Sequence, residues 1–105
     1  MTIPEICVET LAKALKDREY ILLDVRTEEE HEVGNLPCVH IPLHQLMFKL
    51  DELDKNKPIA VICRAGGRSA QAVALLKEAG FENVVNVKGG FKAWCDKIDP
   101  SFKVG

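Results

Sequence analysis

At 105 residues the chain has the length of one domain and can bury roughly two thirds of the surface its unfolded form exposes, so one core and one site are expected over residues 1–105. Hydrophobic residues at 47% and charged residues at 29% exclude a disordered chain. A formal net charge of −2 leaves no basic excess for a phosphate backbone or an anionic bilayer, and no apolar run approaches the ~20 residues of a membrane span, so neither nucleic acid nor a membrane is an expected partner.

Residues 1–6 include Pro4 and Glu5 and lack a basic stretch followed by an apolar one, which fits a cytoplasmic protein without a leader. Leu11 and Leu15 mark a first helix, and residues 20–24 (YILLD) form an apolar run of the kind buried on both faces of a parallel sheet. Thr27 and Glu30 stand at capping-box spacing, with Glu28 and Glu29 suited to the positive end of a helix dipole, and the short second helix they open stops at Gly34. Residues 39–41 read as a short strand. The spacing of Leu43, Leu46, Met47, Leu50 and Leu53 predicts a third helix. Residues 59–63 (IAVIC) are the second long buried strand. A fourth helix over 69–79, with Ala72, Leu75, Leu76 and Ala79 apolar, stops at Gly80, and Phe81 packs back on Leu76 in a Schellman ending. Residues 84–87 close the pattern as a strand. Strands alternating with helices predict an α/β layer fold with a mainly parallel central sheet flanked by helices.

The four cysteines, Cys7, Cys38, Cys63 and Cys95, are widely spaced with no C-x-x-C pair, so they are expected as thiols and not as disulfides or a paired metal site. Cys7, Cys38 and Cys95 read as structural or incidental, although Cys38 offers a thiol that could resolve a sulfur adduct as a disulfide. In open α/β sheets ligands sit beyond the carboxyl ends of strands, and here that place holds Cys63-Arg64-Ala65-Gly66-Gly67-Arg68-Ser69, followed at once by a helix. A lone Cys ending an apolar strand is usually a small buried hydrophobe. The loop after Cys63 reverses that reading, because a glycine-bearing turn into a helix N-terminus surrounds one sulfur with N–H groups, and Arg64 and Arg68 add positive charge. Both favour the reactive thiolate. Gly66 and Gly67 are expected to serve positive φ or close backbone approach.

These residues resemble the rhodanese family, whose active loop is a Cys, four intervening residues, an Arg and often a Ser or Thr, here Cys63 to Arg68 and Ser69. Three more stretches are similar in the same order: Leu23-Asp24-Val25-Arg26, Ala79-Gly80-Phe81-Glu82-Asn83-Val84, and Gly89-Gly90-Phe91-Lys92-Ala93-Trp94. The likeness runs from about Val8 to Trp94. It departs where Asn35 follows Gly34 and Cys38-Val39 stand in place of Gly-Ala. The resemblance implies the three-layer rhodanese fold. It also implies a double displacement in which Cys63 takes a sulfane sulfur from thiosulfate or a persulfide and passes it to a thiol or cyanide-like acceptor, with a protein donor or acceptor as a further option. It implies no cofactor and no metal. The backbone of Arg64, Ala65, Gly66, Gly67 and Arg68 would then hold the persulfide, the Arg64 side chain would meet the donor's oxyanion, and Arg68 would lock the loop against an acidic residue.

Other readings remain beside this one. Ser69, Asp24 and Arg26 are supporting residues, Asp24 as a cap of the next turn and Arg26 in an ion pair. His31, Cys38, His40 and His44 suggest zinc, but Pro37 and Pro42 keep His40 and His44 off a shared helix face. Trp94 and Phe91 read as core anchors. A phosphatase or arsenate reductase would carry five residues between Cys and Arg where this chain has four. A sulfur-relay or interaction module without efficient thiosulfate turnover would use the same loop.

Overall fold

The computed structural model describes residues 3–105, so part of the amino-terminal reading, at residues 1 and 2, lies outside the described residues. Five parallel strands form one sheet: β1 (Glu5–Ile6), β2 (Ile21–Asp24), β3 (Val39–His40), β4 (Ile59–Ile62) and β5 (Val84–Val87), in the order β1-β5-β4-β2-β3. Four α-helices join them: α1 (Val8–Lys16), α2 (Glu28–Val33), α3 (Gly67–Glu78) and α4 (Gly90–Lys97). β1 and α4 had no counterpart among the elements expected from the sequence. The fold is therefore the α/β layer fold with a parallel central sheet that the alternation implied, in the three-layer form that the resemblance implied.

The sheet sorts its side chains by parity. Leu23, Ile59, Val61, Cys63 and Val84 face one core with Ala72, Val73 and Leu76 of α3, while Leu22, Ala60, Ile62 and Val87 face the other with Val8 and Leu11 of α1 and Phe91 and Trp94 of α4. β4 is buried on both faces throughout, as a central parallel strand should be. Removing a large aliphatic here, as in Ile62→Ala, would cost about 2–5 kcal/mol. β2 and β4 are neighbours, yet the chain leaves β2 toward β3 and leaves β4 toward β5, in opposite directions. That divergence opens a crevice at their carboxyl ends, and Cys63 stands in it.

The helix-end signals hold in part. Thr27 and Glu30 form the full capping box, and α3 ends in a Schellman motif, with the Phe81 N–H on the Leu76 carbonyl at 2.9 Å and Gly80 at φ +96. Gly34 does not end α2 through a left-handed turn: its backbone is extended at φ −169, and glycine is needed because a Cβ would lie 2.0 Å from the Lys103 carbonyl oxygen. α3 opens two residues earlier than expected, at Gly67. The predicted third helix is not an α-helix but two 3₁₀ turns, Leu43–Phe48 and Leu50–Glu52, parted at Lys49 with φ −127. With the 3₁₀ period, Leu46 is buried while Met47 and Phe48 are exposed, so the apolar spacing overstated the buried face.

Candidate active site

β4 delivers Cys63 to the crevice, and Gly66 at φ +108 turns the chain into α3 within the next four residues. That turn aims N–H groups back at the sulfur: Gly66 donates to Sγ at 3.1 Å and Ser69 at 3.4 Å, with the Ser69 hydroxyl at 3.3 Å. Cys63 is 1% exposed. Its burial pushes the thiol pKa up, but the Ser69 hydroxyl and the N–H groups of Ser69, Gly66 and Ala65 outweigh that and hold it below the ordinary value. A sulfur in this position carries negative charge more readily than a free cysteine does.

Three neighbours hold the loop in this shape. The first-turn N–H groups of α4, which no helix can satisfy internally, are taken by the loop itself: Phe91 donates to the Cys63 carbonyl at 2.9 Å and Lys92 to the Arg64 carbonyl at 3.0 Å. A Cβ on Gly90, at φ +58, would lie 2.2 Å from the Cys63 carbonyl oxygen, so the Gly89-Gly90 pair is what lets α4 dock there. Arg68 forms a two-pronged pair with Glu30 of α2 at 2.5 and 2.8 Å. The Arg68 guanidinium pulls the Glu30 carboxyl down to about 2. Ser69, fully buried, donates to Asn86 of β5 with an Oγ–Oδ1 separation of 2.5 Å.

Asp24, the last residue of β2, and Arg26 just beyond it have no exposed surface. Arg26 grips the Asp24 carboxylate through Nε at 3.0 and 3.1 Å and Nη2 at 2.9 Å, and its own backbone N–H is capped by the same carboxylate at 3.0 Å. Burial pushes the Asp24 carboxyl up, but the bonds from Arg26 and His31 prevail and hold it below its ordinary value. Arg26 also donates to the Glu30 and Gly34 carbonyls at 3.2 and 2.6 Å and lies 3.9 Å from the centre of the Phe91 ring. The pair ties the end of β2 to α2 and α4; both expected roles, cap and ion pair, are present together.

Of the residues considered for zinc, His31 and His40 come together beside Asp24, with donor atoms within 4.8 Å of one another. The arrangement suits stacking better than coordination. The two rings are 4.0 Å apart and 5° from parallel, and ring lone pairs lie in the ring planes, so the two nitrogens do not converge on one ion. Asp24 is already committed to Arg26, His31 bonds Asp24 at 2.8 Å, and His40 bonds the Arg26 carbonyl at 2.8 Å. His44 sits apart on the first 3₁₀ turn beside Gln45.

The seven loop residues are thus brought to one place, with one change of role. Gly67 opens α3 with nothing within 4 Å of an added Cβ and no positive φ, so the glycine requirement belongs to Gly66 alone. On the unloaded sulfur the N–H groups within hydrogen-bonding distance are those of Gly66 and Ser69, the second lying one residue beyond the Arg64 to Arg68 stretch expected to hold a persulfide. Arg64 and Ala65 are exposed on the rim. All four cysteines are free. Cys95 donates to the Phe102 carbonyl at 3.2 Å, and Cys7 is exposed ahead of α1, its thiol lowered by the Thr10 hydroxyl and N–H. Cys38 is half-buried, and that burial, followed by the Asp24 charge, pushes its thiol up to about 11, which makes it a poor resolving thiol. Sequence reading missed Asn86. Its signal was an amide within an otherwise apolar strand, VVNV, because a buried polar side chain needs a partner.

The model of the rhodanese-like domain matches residues 8–97. The chain is 38% identical over 93 residues to a protein of Allochromatium vinosum named sulfurtransferase, covering 87% of each. It is also 38% identical over 100 residues to YrkF of Bacillus subtilis, named as a candidate sulfur carrier protein, covering 93% of this chain but 54%, about half, of that relative. Among solved structures, a rhodanese-related protein from Thermoplasma volcanium superimposes with a TM-score of 0.84 at 35% identity, covering 90% of this chain and 93% of the other. No helix among the described residues is long and apolar enough to cross a membrane.

Proposed function

The chain belongs to the rhodanese-like domain family, and we propose that it is a sulfurtransferase in which Cys63 carries a sulfane sulfur from thiosulfate or a persulfide donor to a thiophilic acceptor. The single observation that carries this reading is the convergence of the Gly66 and Ser69 N–H groups and the Ser69 hydroxyl on the Cys63 sulfur. In the first step the Cys63 thiolate attacks the outer sulfur of thiosulfate. A sulfur–sulfur bond forms to Cys63, the bond within thiosulfate breaks, and its electron pair leaves with sulfite. In the second step an acceptor thiolate or cyanide attacks the outer sulfur, and the Cys63 thiolate is the leaving group. Neither step needs a metal or a cofactor.

Each loop residue takes a role in this scheme. Arg64, exposed on the rim, meets the donor's oxyanion. Ala65, Gly66, Gly67 and Arg68 supply backbone around the outer sulfur, because the first-turn N–H groups of α3 have no helical partner. Arg68 acts through Glu30 to fix the loop, and Ser69 supports the sulfur from within. A loop with four residues between Cys63 and Arg68 closes on one sulfur and leaves little room for a tetrahedral phosphate.

Intact mass after incubation with thiosulfate tests the reading. Wild type should gain one sulfur and Cys63→Ser should gain none, whereas an adduct retained in Cys63→Ser would overturn it. A second reading, a sulfur relay between proteins, is favoured by the likeness to YrkF. Slow thiosulfate turnover with rapid loading from a protein persulfide would select it. Turnover of an aryl phosphate at a normal enzymatic rate would instead revive the phosphatase alternative.

A further inference from the structure

Ser69 has one hydroxyl proton and three acceptors within reach: the Cys63 sulfur at 3.3 Å, Asn86 Oδ1 at 2.5 Å and the Gly66 carbonyl at 3.2 Å. The Gly66 carbonyl already accepts the Ala70 N–H at 3.1 Å, so the contest is between the sulfur and Asn86. The neighbours of Asn86 fix which way its amide points. Nδ2 faces two acceptors, the Glu5 carboxylate at 3.1 Å and the Gly66 carbonyl at 3.4 Å, which leaves Oδ1 for Ser69. Asn86 is 2% exposed, and both ends of its amide are used.

The N–H donors on the sulfur are fixed by the backbone, whereas the hydroxyl turns about its own bond. With Cys63 as a thiol, S–H donates to Ser69 Oγ and the hydroxyl donates to Asn86. With the sulfur anionic, the hydroxyl turns to it and gives up the Asn86 bond. We propose, building on the sulfur-transfer reading above, that Asn86 is a positioning residue that competes with the Cys63 sulfur for the Ser69 proton and so limits how tightly the loop holds negative charge there. The limit matters because a thiolate stabilised too strongly is a weaker nucleophile, and the sulfur must both take and release its cargo.

The charged groups around the loop are Arg64 on the rim, Arg68 with Glu30 of α2, Asp24 with Arg26 at the end of β2, Lys88 and Lys92 at the β5–α4 corner, and Glu5 behind Asn86. Asn86→Leu removes none of these charges, although the Glu5 carboxylate loses the Asn86 N–H. It also leaves no buried carbonyl bare, since Gly66 keeps the Ala70 N–H, and Glu5 is exposed to water.

The test is the pH midpoint of Cys63 alkylation by iodoacetamide, followed by peptide mass in wild type, Asn86→Leu, Ser69→Ala and the double variant. Asn86→Leu should lower the midpoint by up to about one pH unit, a tenfold rise in thiolate fraction, because the freed proton then serves the sulfur alone. In the Ser69→Ala background the same change should shift nothing. A midpoint that is unchanged or raised in Asn86→Leu, or a shift that survives in Ser69→Ala, overturns the proposal. If melting shows Asn86→Leu unfolded, Asn86→Val, matched to strand geometry, takes its place with the same expectations. No sulfur donor enters this measurement, so failure of the sulfur-transfer reading shows separately, as absence of the mass adduct.

Discussion

Cys63 and Cys38 stand at opposite poles of cysteine chemistry although both are withdrawn from water within a few residues of strands in the same half of the sheet. Cys38, just before β3, is half-buried with the Asp24 charge beside it, and its thiol rises to about 11. Cys63, just after β4, is the more buried by exposed surface, yet its thiol falls below the ordinary 9.0. Burial alone therefore makes an inert thiol in this fold. The difference lies in what the chain does next: after Cys38 it enters an extended strand that pairs with β2, and after Cys63 it turns at Gly66 into a helix, whose first N–H groups are free to face the sulfur.

Exchanging each sulfur for oxygen breaks the comparison outright and should have the largest effect. Cys63→Ser is expected to lower sulfur transfer by about a thousandfold or more, while Cys38→Ser leaves it within about twofold, measured as product formed from thiosulfate and a thiol acceptor. Comparable losses in both would mean that the two cysteines act together, against their separate environments. The thiolate populations sharpen the contrast: at pH 7 a thiol of pKa about 11 is ionised roughly once in 10⁴, and one below 9.0 at least about a hundred times more often. Titration by ultraviolet thiolate absorbance, which does not depend on reagent access, should give a Cys63 midpoint below that of Cys38 in single-cysteine variants.

A smaller effect is expected from the clamp that holds the loop in place. Glu30 keeps its charge down to about pH 2 against an ordinary 4.5, chiefly because Arg68 donates to it, so the folded chain binds fewer protons than the unfolded chain between those values. The contribution is complete above pH 4.5 and is lost as pH falls through about 2. Glu30→Gln should lower stability by about 1 kcal/mol near neutral pH, since the pair is partly exposed, and the gap in melting temperature from wild type should close across that acidic window. A gap constant down to pH 2 would show that the ion pair contributes nothing. Arg68→Ala should slow sulfur loading as well, because the loop loses its tie to α2.

How much of this was legible in the sequence follows from the range of the interactions. The strands YILLD and IAVIC, the capping box of Thr27 and Glu30 and the Schellman ending at Gly80 are written in neighbours a few residues apart, and they appear as read except that Tyr20 and Cys63 fall just outside their strands. Residues 63–69 were legible as a tight turn around one sulfur for the same reason. The partners were not legible: Glu30 meets Arg68 across 38 positions and Asn86 meets Ser69 across 17, and only the folded sheet brings them together. The segment from Leu43 to Leu53 misled because its apolar spacing suits an α-helix, whereas the break at Lys49 leaves two short 3₁₀ turns with Phe48 86% exposed.

Two glycines that look alike in the sequence test whether the Cys63 environment rests on one backbone angle, and one of them, Gly67, carries the smallest expected effect. Gly66 sits at φ +108, where an L side chain is strained, with its N–H on the sulfur. Gly66→Ala should cost about 1–3 kcal/mol and raise the Cys63 midpoint toward that of an ordinary buried thiol such as Cys38. Gly67 begins α3 in helical geometry with open space where a Cβ would go, so Gly67→Ala should be neutral or stabilising by about 0.4–1 kcal/mol, through a less flexible unfolded chain, and should leave transfer within about twofold. Equal damage from the two substitutions would mean that the sulfur's environment depends on the flexibility of the whole turn. Damage confined to Gly66 would tie the contrast between the two cysteines to the one left-handed residue that turns its own N–H and that of Ser69 back at Cys63.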